Sequence, residues 1–176
     1  MGGNLNMVIV YQSNTGFTQQ YAEMLAKAEK IKAYELEDAV RNLEKGTQVI
    51  YMGPLMGGHI EGSNKALMQF DLKAACAVGM SPPGDKVDGM MERANKLPEG
   101  TPLFYLQGGW NPEKVPWAKR KMVEMVTKGF RRELELKGIH RTPVEQANLD
   151  MLVKGGSMVT FKSLDPVRAW LKEQKG

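Results

Sequence analysis

The chain has one cysteine, Cys76, and only two histidines, His59 and His140, among 176 residues. An internal disulfide is excluded, and so is a Cys/His cluster of metal-binding spacing. No apolar run approaches the roughly 20 residues a membrane-spanning helix requires. Met1 to Asn6 carries neither a basic patch nor an apolar stretch, so no export signal is read there and a cytoplasmic location is expected. Asn6 stands where a myristoylation pattern wants Ser or Thr, and the opening residues are read as a cloning remnant or a frayed start. After the first strand there is no G-x-G-x-x-G and no G-x-x-x-x-G-K-[ST], which sets aside a dinucleotide fold and a nucleotide triphosphatase.

What is present is enough for one well-buried core: 42% of the residues are hydrophobic, in a chain too short for two ordinary domains. One domain, residues 1–176, is expected. The formal charge of +4 favours anionic partners in general. No recognition motif or aromatic-basic platform accompanies it, so nucleic acid is not expected as a partner.

Met7 to Tyr11 is a continuous apolar run with β-branched members, as in a strand buried on both faces of a parallel sheet. Gln19 to Lys30 then carries apolar residues at helical spacing. Further strands are read at 31–36, 48–52, 74–80 and 102–106, with helices at 37–43, 63–70 and 87–96 between them. Ser63 is read as a helix cap, and Gly53 to His59 as a glycine-rich loop. This alternation predicts an α/β, doubly wound sheet of five parallel strands, with helices on both faces. Ligands of such sheets bind beyond the carboxyl ends of the strands, where three loops emerge: Ser13 to Thr18, Gly53 to His59, and Gln107 to Trp110.

A helical insertion of about 112–155 is expected after strand 5. Within it, Met122, Val126, Phe130 and Leu134 at fourfold spacing predict a long amphipathic helix from Pro116 to about Lys137, with Lys119, Arg120, Lys121, Lys128, Arg131 and Arg132 around it. Thr142 before Pro143 predicts another helix start, Gly155-Gly156 its end, and Asp165 the cap of a last helix.

The first loop, Ser13-Asn14-Thr15-Gly16-Phe17-Thr18, is rich in hydroxyls and has no cation. Backbone amides, the positive end of the following helix and three hydroxyls suit it to a phosphate monoester held by dipoles. The bland reading is a strand-to-helix loop in which one hydroxyl caps the helix.

The complete S-x-T-G-x-T spacing between a buried strand and an amphipathic helix resembles the phosphate loop of flavodoxins. The Gly53 to His59 loop and the tail from Gly155 to Leu171 resemble the branch that includes the flavodoxin-type protoporphyrinogen oxidases. The resemblance implies a flavodoxin-like strand order of 2-1-3-4-5, and FMN with its phosphate in the first loop. It places Pro54, Leu55, Met56, Gly57 and Gly58 along one side of the ring, and Gln107, Gly108, Gly109 and Trp110 along the other. His59 is then either a donor to the ring or a substrate, or a solvated loop residue. Trp110 either stacks on the flavin or covers the core. Cys76, among small apolar neighbours, is assigned no chemistry.

Flavodoxin carriers are usually acidic with aromatics beside the flavin, whereas this chain is basic and offers Trp110. The implied function is electron transfer by bound FMN. An FMN-dependent oxidoreductase acting on a porphyrinogen, quinone or similar planar substrate, and a cofactor-free interaction domain, stand as alternatives. Expected partners are a redox protein or a small planar substrate. A peripheral membrane contact through the basic helix and a homodimer stay open, beside the simpler reading of that helix as a solvated face over a core stripe.

Overall fold

Five parallel strands form the centre of the protein in a computed structural model that describes residues 6–176. The frayed start read at residues 1–5 lies outside the described residues. The strands are β1 (Val8–Tyr11), β2 (Ala33–Glu35), β3 (Gln48–Met56), β5 (Asp71–Gly79) and β6 (Leu103–Gln107). A short β4 (His59–Ile60) pairs antiparallel with the end of β3. The sheet order β2-β1-β3-β5-β6 is the expected doubly wound order, with the short β4 counted as a strand of its own. Register is set by Val8 opposite Val49, Ile9 opposite Ala33, and Ala75 opposite Leu103.

Alternation along the central strands gives each face of the sheet its own core, because successive side chains point to opposite sides. Ile9, Ile50, Met52 and Cys76 face α1 (Phe17–Glu29), through Tyr21 and Leu25, and α7 (Asp165–Lys175), through Val167 and Leu171. Val10, Val49, Tyr51 and Ala77 face the other way, onto α2 (Leu36–Asn42), α3 (Ser63–Gln69) and α4 (Asp85–Ala94). No helix among the described residues is long and apolar enough to cross a membrane.

Helix α1 is fastened to α7 by Glu29, whose carboxylate accepts from Arg168 Nε at 2.8 Å and Lys175 Nζ at 3.1 Å. Burial raises the pKa of Glu29, but the two hydrogen bonds outweigh it and hold the carboxyl below the ordinary range. A carboxyl depressed by folding contributes stability above its unfolded pKa and loses it as pH falls through the folded value. Glu29→Gln is therefore expected to lower unfolding stability by about 1–2 kcal/mol at pH 7. The gap between variant and parent should begin to narrow at the ordinary carboxyl pKa and close only as pH falls through the lower folded value. Urea melts across pH 3 to 7 check both statements.

Three local expectations are corrected. The segment read as a loop at Gly53 to His59 is mostly strand: β3 runs to Met56 and returns through a Gly57-Gly58 turn into β4. Both glycines have positive φ, 58° and 86°, which a two-residue hairpin turn demands. Ser63 does not cap α3, since it is already helical and buried while Gly62 occupies the cap position in the left-handed region. Asp165 does not cap α7 either. The chain enters that helix from a 3-10 turn, Phe161–Leu164, so Leu164 is already right-handed and no extended residue is left to cap it.

The chain divides into two compact units, one of residues up to Gln107 together with Val159–Gly176, the other Gly108–Met158. The second contains β7 (Gly109–Trp110), α5 (Trp117–Leu136), α6 (Pro143–Lys154) and β8 (Gly156–Ser157), with β7 and β8 antiparallel. Thr142 starts α6 as expected, by a reciprocal capping box: its hydroxyl accepts from Glu145 N and its own N–H donates to Glu145 Oε2. The expected core stripe of α5 is corrected. Met122 is 44% exposed and Val126 73%, while Val123, Phe130 and Leu134 face inward. A strict fourfold spacing drifts about 40° per step on a helix of 3.6 residues per turn, so Met122 stands about 120° from Leu134 and the first two of the four leave the inward face.

Candidate functional site

The first loop joins β1 to α1 at the carboxyl edge of the sheet. Gly16, at φ 99°, turns the chain into the helix from the left-handed region, where a residue without Cβ sits at no steric cost. Ser13 Oγ accepts from Gly16 N at 3.1 Å and shapes the loop. Phe17 packs against the core over α1 and anchors it.

The side-chain cap of the bland reading is missing: the N-cap residue of this 13-residue helix is Gly16, and no side chain makes a capping hydrogen bond there. Thr18 is 3% exposed, and neither its hydroxyl nor that of Thr15 bonds to a described residue. An uncapped first turn, with its unsatisfied N–H groups and partial positive charge, beside two unengaged hydroxyls is a donor set for a phosphate. The residues fit the phosphate of FMN in kind. One neighbour is unfavourable to a dianion: Asn14 Nδ2 donates to the Glu61 carboxylate, bringing a negative side chain to the exposed side of the loop.

The second loop is the β3–β4 hairpin. Pro54, Leu55, Met56 and His59 are half-buried, Gly57 is exposed and Gly58 is buried. A side chain at Gly58 would be strained: φ is 86°, and a Cβ would meet Met90 Cγ at 2.7 Å and force that side chain to shift. The first and second loops meet through Asn14 and Glu61, just past the hairpin. Gly62 then lies beside Tyr51 and Gln12, the residue that follows β1. Tyr51 donates its hydroxyl to Glu61 O, and burial first, then Glu35 and Glu61, raises its pKa.

Sequence reasoning missed Asn95, the residue that fixes this hairpin. Asn95 Oδ1 accepts from Ile60 N, and its Nδ2 donates to Gly58 O and Met91 O, all three bonds buried. An asparagine just after the last helical residue of α4, ahead of Leu97-Pro98, is the signal that was available. Asn95→Ala leaves Ile60 N and Gly58 O buried without those partners, and is expected to cost about 2–4 kcal/mol. Increased amide exchange confined to residues 56–61 under native conditions would check that the loss is felt at the hairpin.

The third loop begins at Gln107, the last residue of β6. Its carbonyl accepts from the buried Tyr21 hydroxyl at 2.5 Å, and its Nε2 donates to Met80 O, tying the ends of β5 and β6. Tyr21 also receives Thr160 N at 3.4 Å, where the chain rejoins this unit. Gly108, Gly109 and Trp110 belong to the second unit. There Gly108 O accepts from Met158 N, and Trp110, 8% exposed, lies in β7 opposite Gly156.

Cys76 is fully buried and its thiol is pushed up to about 12 by burial, so it supplies no thiolate near neutral pH. No group of three or more metal-binding side chains exists among the described residues. A cavity of about 340 Å³ over the edge strand β6, lined by Leu103, Phe104, Tyr105, Asp88 and Glu92 among others, includes no residue of the three loops. Its two carboxylates and its lack of cations make it a poor place for a phosphate.

Among solved structures, the chain is similar to a flavodoxin, WrbA-like protein from Agrobacterium tumefaciens, at 18% identity and a TM-score of 0.33, over 49% of this chain and 73% of that one. No curated protein matches it. The family model for the flavodoxin domain matches residues 8–135, more than half of the chain, taking in β1, the hydroxyl-rich loop and the whole parallel sheet. The chain belongs to the flavodoxin-domain family.

Proposed function

We propose that this protein binds FMN noncovalently, with the phosphate in the loop Ser13 to Thr18, and serves in electron transfer. The observation that carries the reading is the uncapped amino end of α1 behind Gly16, with the hydroxyls of Thr15 and Thr18 unengaged. Bound FMN supplies the redox chemistry. The chain's own part is to hold the phosphate by helix amides and hydroxyls, and to present the backbone of the β3–β4 hairpin to one side of the ring. Asn95 and Gly62 keep that hairpin and loop in register. No side chain is required to act as an acid or base. A cytoplasmic setting and a protein redox partner complete this reading.

The resemblance of Gly53 to His59 and of Gly155 to Leu171 to the protoporphyrinogen oxidase branch supports a second reading. In it, the protein oxidises a porphyrinogen or a similar planar substrate directly. FMN-loaded protein, reduced for the carrier assay and oxidised for the enzyme assay, separates the two. Rapid oxidation by a one-electron acceptor such as cytochrome c, without turnover of protoporphyrinogen, supports the carrier. Multiple turnovers of protoporphyrinogen with a quinone as acceptor would replace it with the enzyme.

A further inference from the structure

The net charge of the protein is confined to the second unit. Residues 108–158 hold ten lysines and arginines against six aspartates and glutamates, a formal +4 that equals the charge of the whole chain. The same 51 residues hold most of the large apolar side chains that are strongly exposed, including Trp117 at 71%, Met125 at 72%, Leu136 at 79% and Ile139 at 95%.

Helix α5 orders these features. At 100° per residue, Ala118, Met122, Met125, Gly129 and Leu136 fall within about 60° of one another, on a side well removed from the inward-facing Val123, Phe130 and Leu134. All five are exposed. Lys121, Lys128 and Arg132, also exposed, border one side of this second stripe. Glu124 and Glu135, two of the helix's three acidic residues, are paired with Lys121 and Arg131.

From this arrangement we infer that the outward face of α5 docks on an anionic membrane surface, with the stripe at the level of the lipid headgroups and the flanking cations on the lipid phosphates. The charge selects the occupant. A second copy packed antiparallel would bring Lys121, Lys128 and Arg132 against their own counterparts, and a parallel one would set those three cations against the single Glu133, whereas an anionic bilayer matches them all. The exposed apolar residues also extend beyond the helix, from Trp117 at its start to Ile139 in the turn after it, which suits a broad fluid interface better than a groove made for one helix. Long Lys and Arg stems can lie along the apolar boundary while their charges reach the phosphates. The contact is peripheral, and it is independent of the flavin: it rests on the second unit alone.

Co-sedimentation of the full chain with vesicles tests it, using pure phosphatidylcholine and phosphatidylcholine containing 30% phosphatidylglycerol. Binding to the anionic vesicles should be at least tenfold stronger, should fall in 0.5 M salt, and should shift tryptophan emission to the blue. Trp117→Phe should remove most of that shift, because Trp110 is buried and Trp170 half-buried. Met125→Ser combined with Leu136→Ser, and separately Lys128→Glu combined with Arg132→Glu, should each weaken binding about tenfold with unchanged circular dichroism. Equal binding to both vesicles, no binding, binding unaffected by both double variants, or a stable dimer in solution that buries the stripe would overturn the proposal.

Discussion

A Thr15→Ala, Thr18→Ala double variant is expected to bind FMN at least 100-fold more weakly than the parent while binding riboflavin equally well. Hydrogen bonds to a charged group contribute about 1.5–3 kcal/mol each, so two of them amount to roughly two to four decades in affinity. The helix amides remain in the variant and account for the residual binding. The fold should survive, because neither hydroxyl bonds to a described residue and alanine favours the helix at position 18. Titration followed by flavin fluorescence, alongside a thermal melt, measures both sides of this expectation. If the variant keeps parental FMN affinity with an intact fold, the phosphate lies elsewhere.

Gly62→Ala is expected to cost about 3–5 kcal/mol and to loosen both the hairpin and the first loop. Gly62 has φ 78°, which disfavours any side chain. A Cβ there would meet Tyr51 Oη at 2.1 Å, Gln12 Oε1 at 2.5 Å and Leu36 Cδ2 at 2.9 Å. Relief requires Tyr51 to move, which breaks its bond to Glu61 O, and Gln12 to move, which disturbs the chain one residue before Ser13. The effect therefore reaches FMN affinity as well as stability. Adding Tyr51→Phe should recover part of the stability by removing the closest atom. No recovery would mean that backbone conformation, rather than the clash, sets the cost.

The sheet and the first loop were legible in the sequence because their signals are local. Val8 to Tyr11 and Ala74 to Val78 are continuous apolar runs, and Ser13 to Thr18 is one unbroken motif between a strand and a helix. The β3–β4 hairpin was legible in principle, since Gly57-Gly58 between Leu55-Met56 and His59-Ile60 is a turn signature. The density of glycine and proline around it gave the appearance of a loop. The braces behind the site were not legible, because they join distant positions. Tyr21 reaches Gln107, and Asn95 reaches Gly58 and Ile60, through pairings that no local pattern encodes. The true inward face of α5 was hidden for a different reason: the helix carries two apolar faces, and the fourfold spacing led from one toward the other.

The measurement that tests the central claim most directly is a pair of titrations of the flavin-free protein, one with FMN and one with riboflavin, which differ only in the phosphate. Submicromolar FMN binding with riboflavin at least 100-fold weaker is the expected result if the uncapped first turn of α1 and the hydroxyls of Thr15 and Thr18 hold the phosphate. Equal affinities would place the phosphate outside the loop. Binding of neither flavin would contradict the account altogether and leave a flavodoxin-domain protein that works without a flavin.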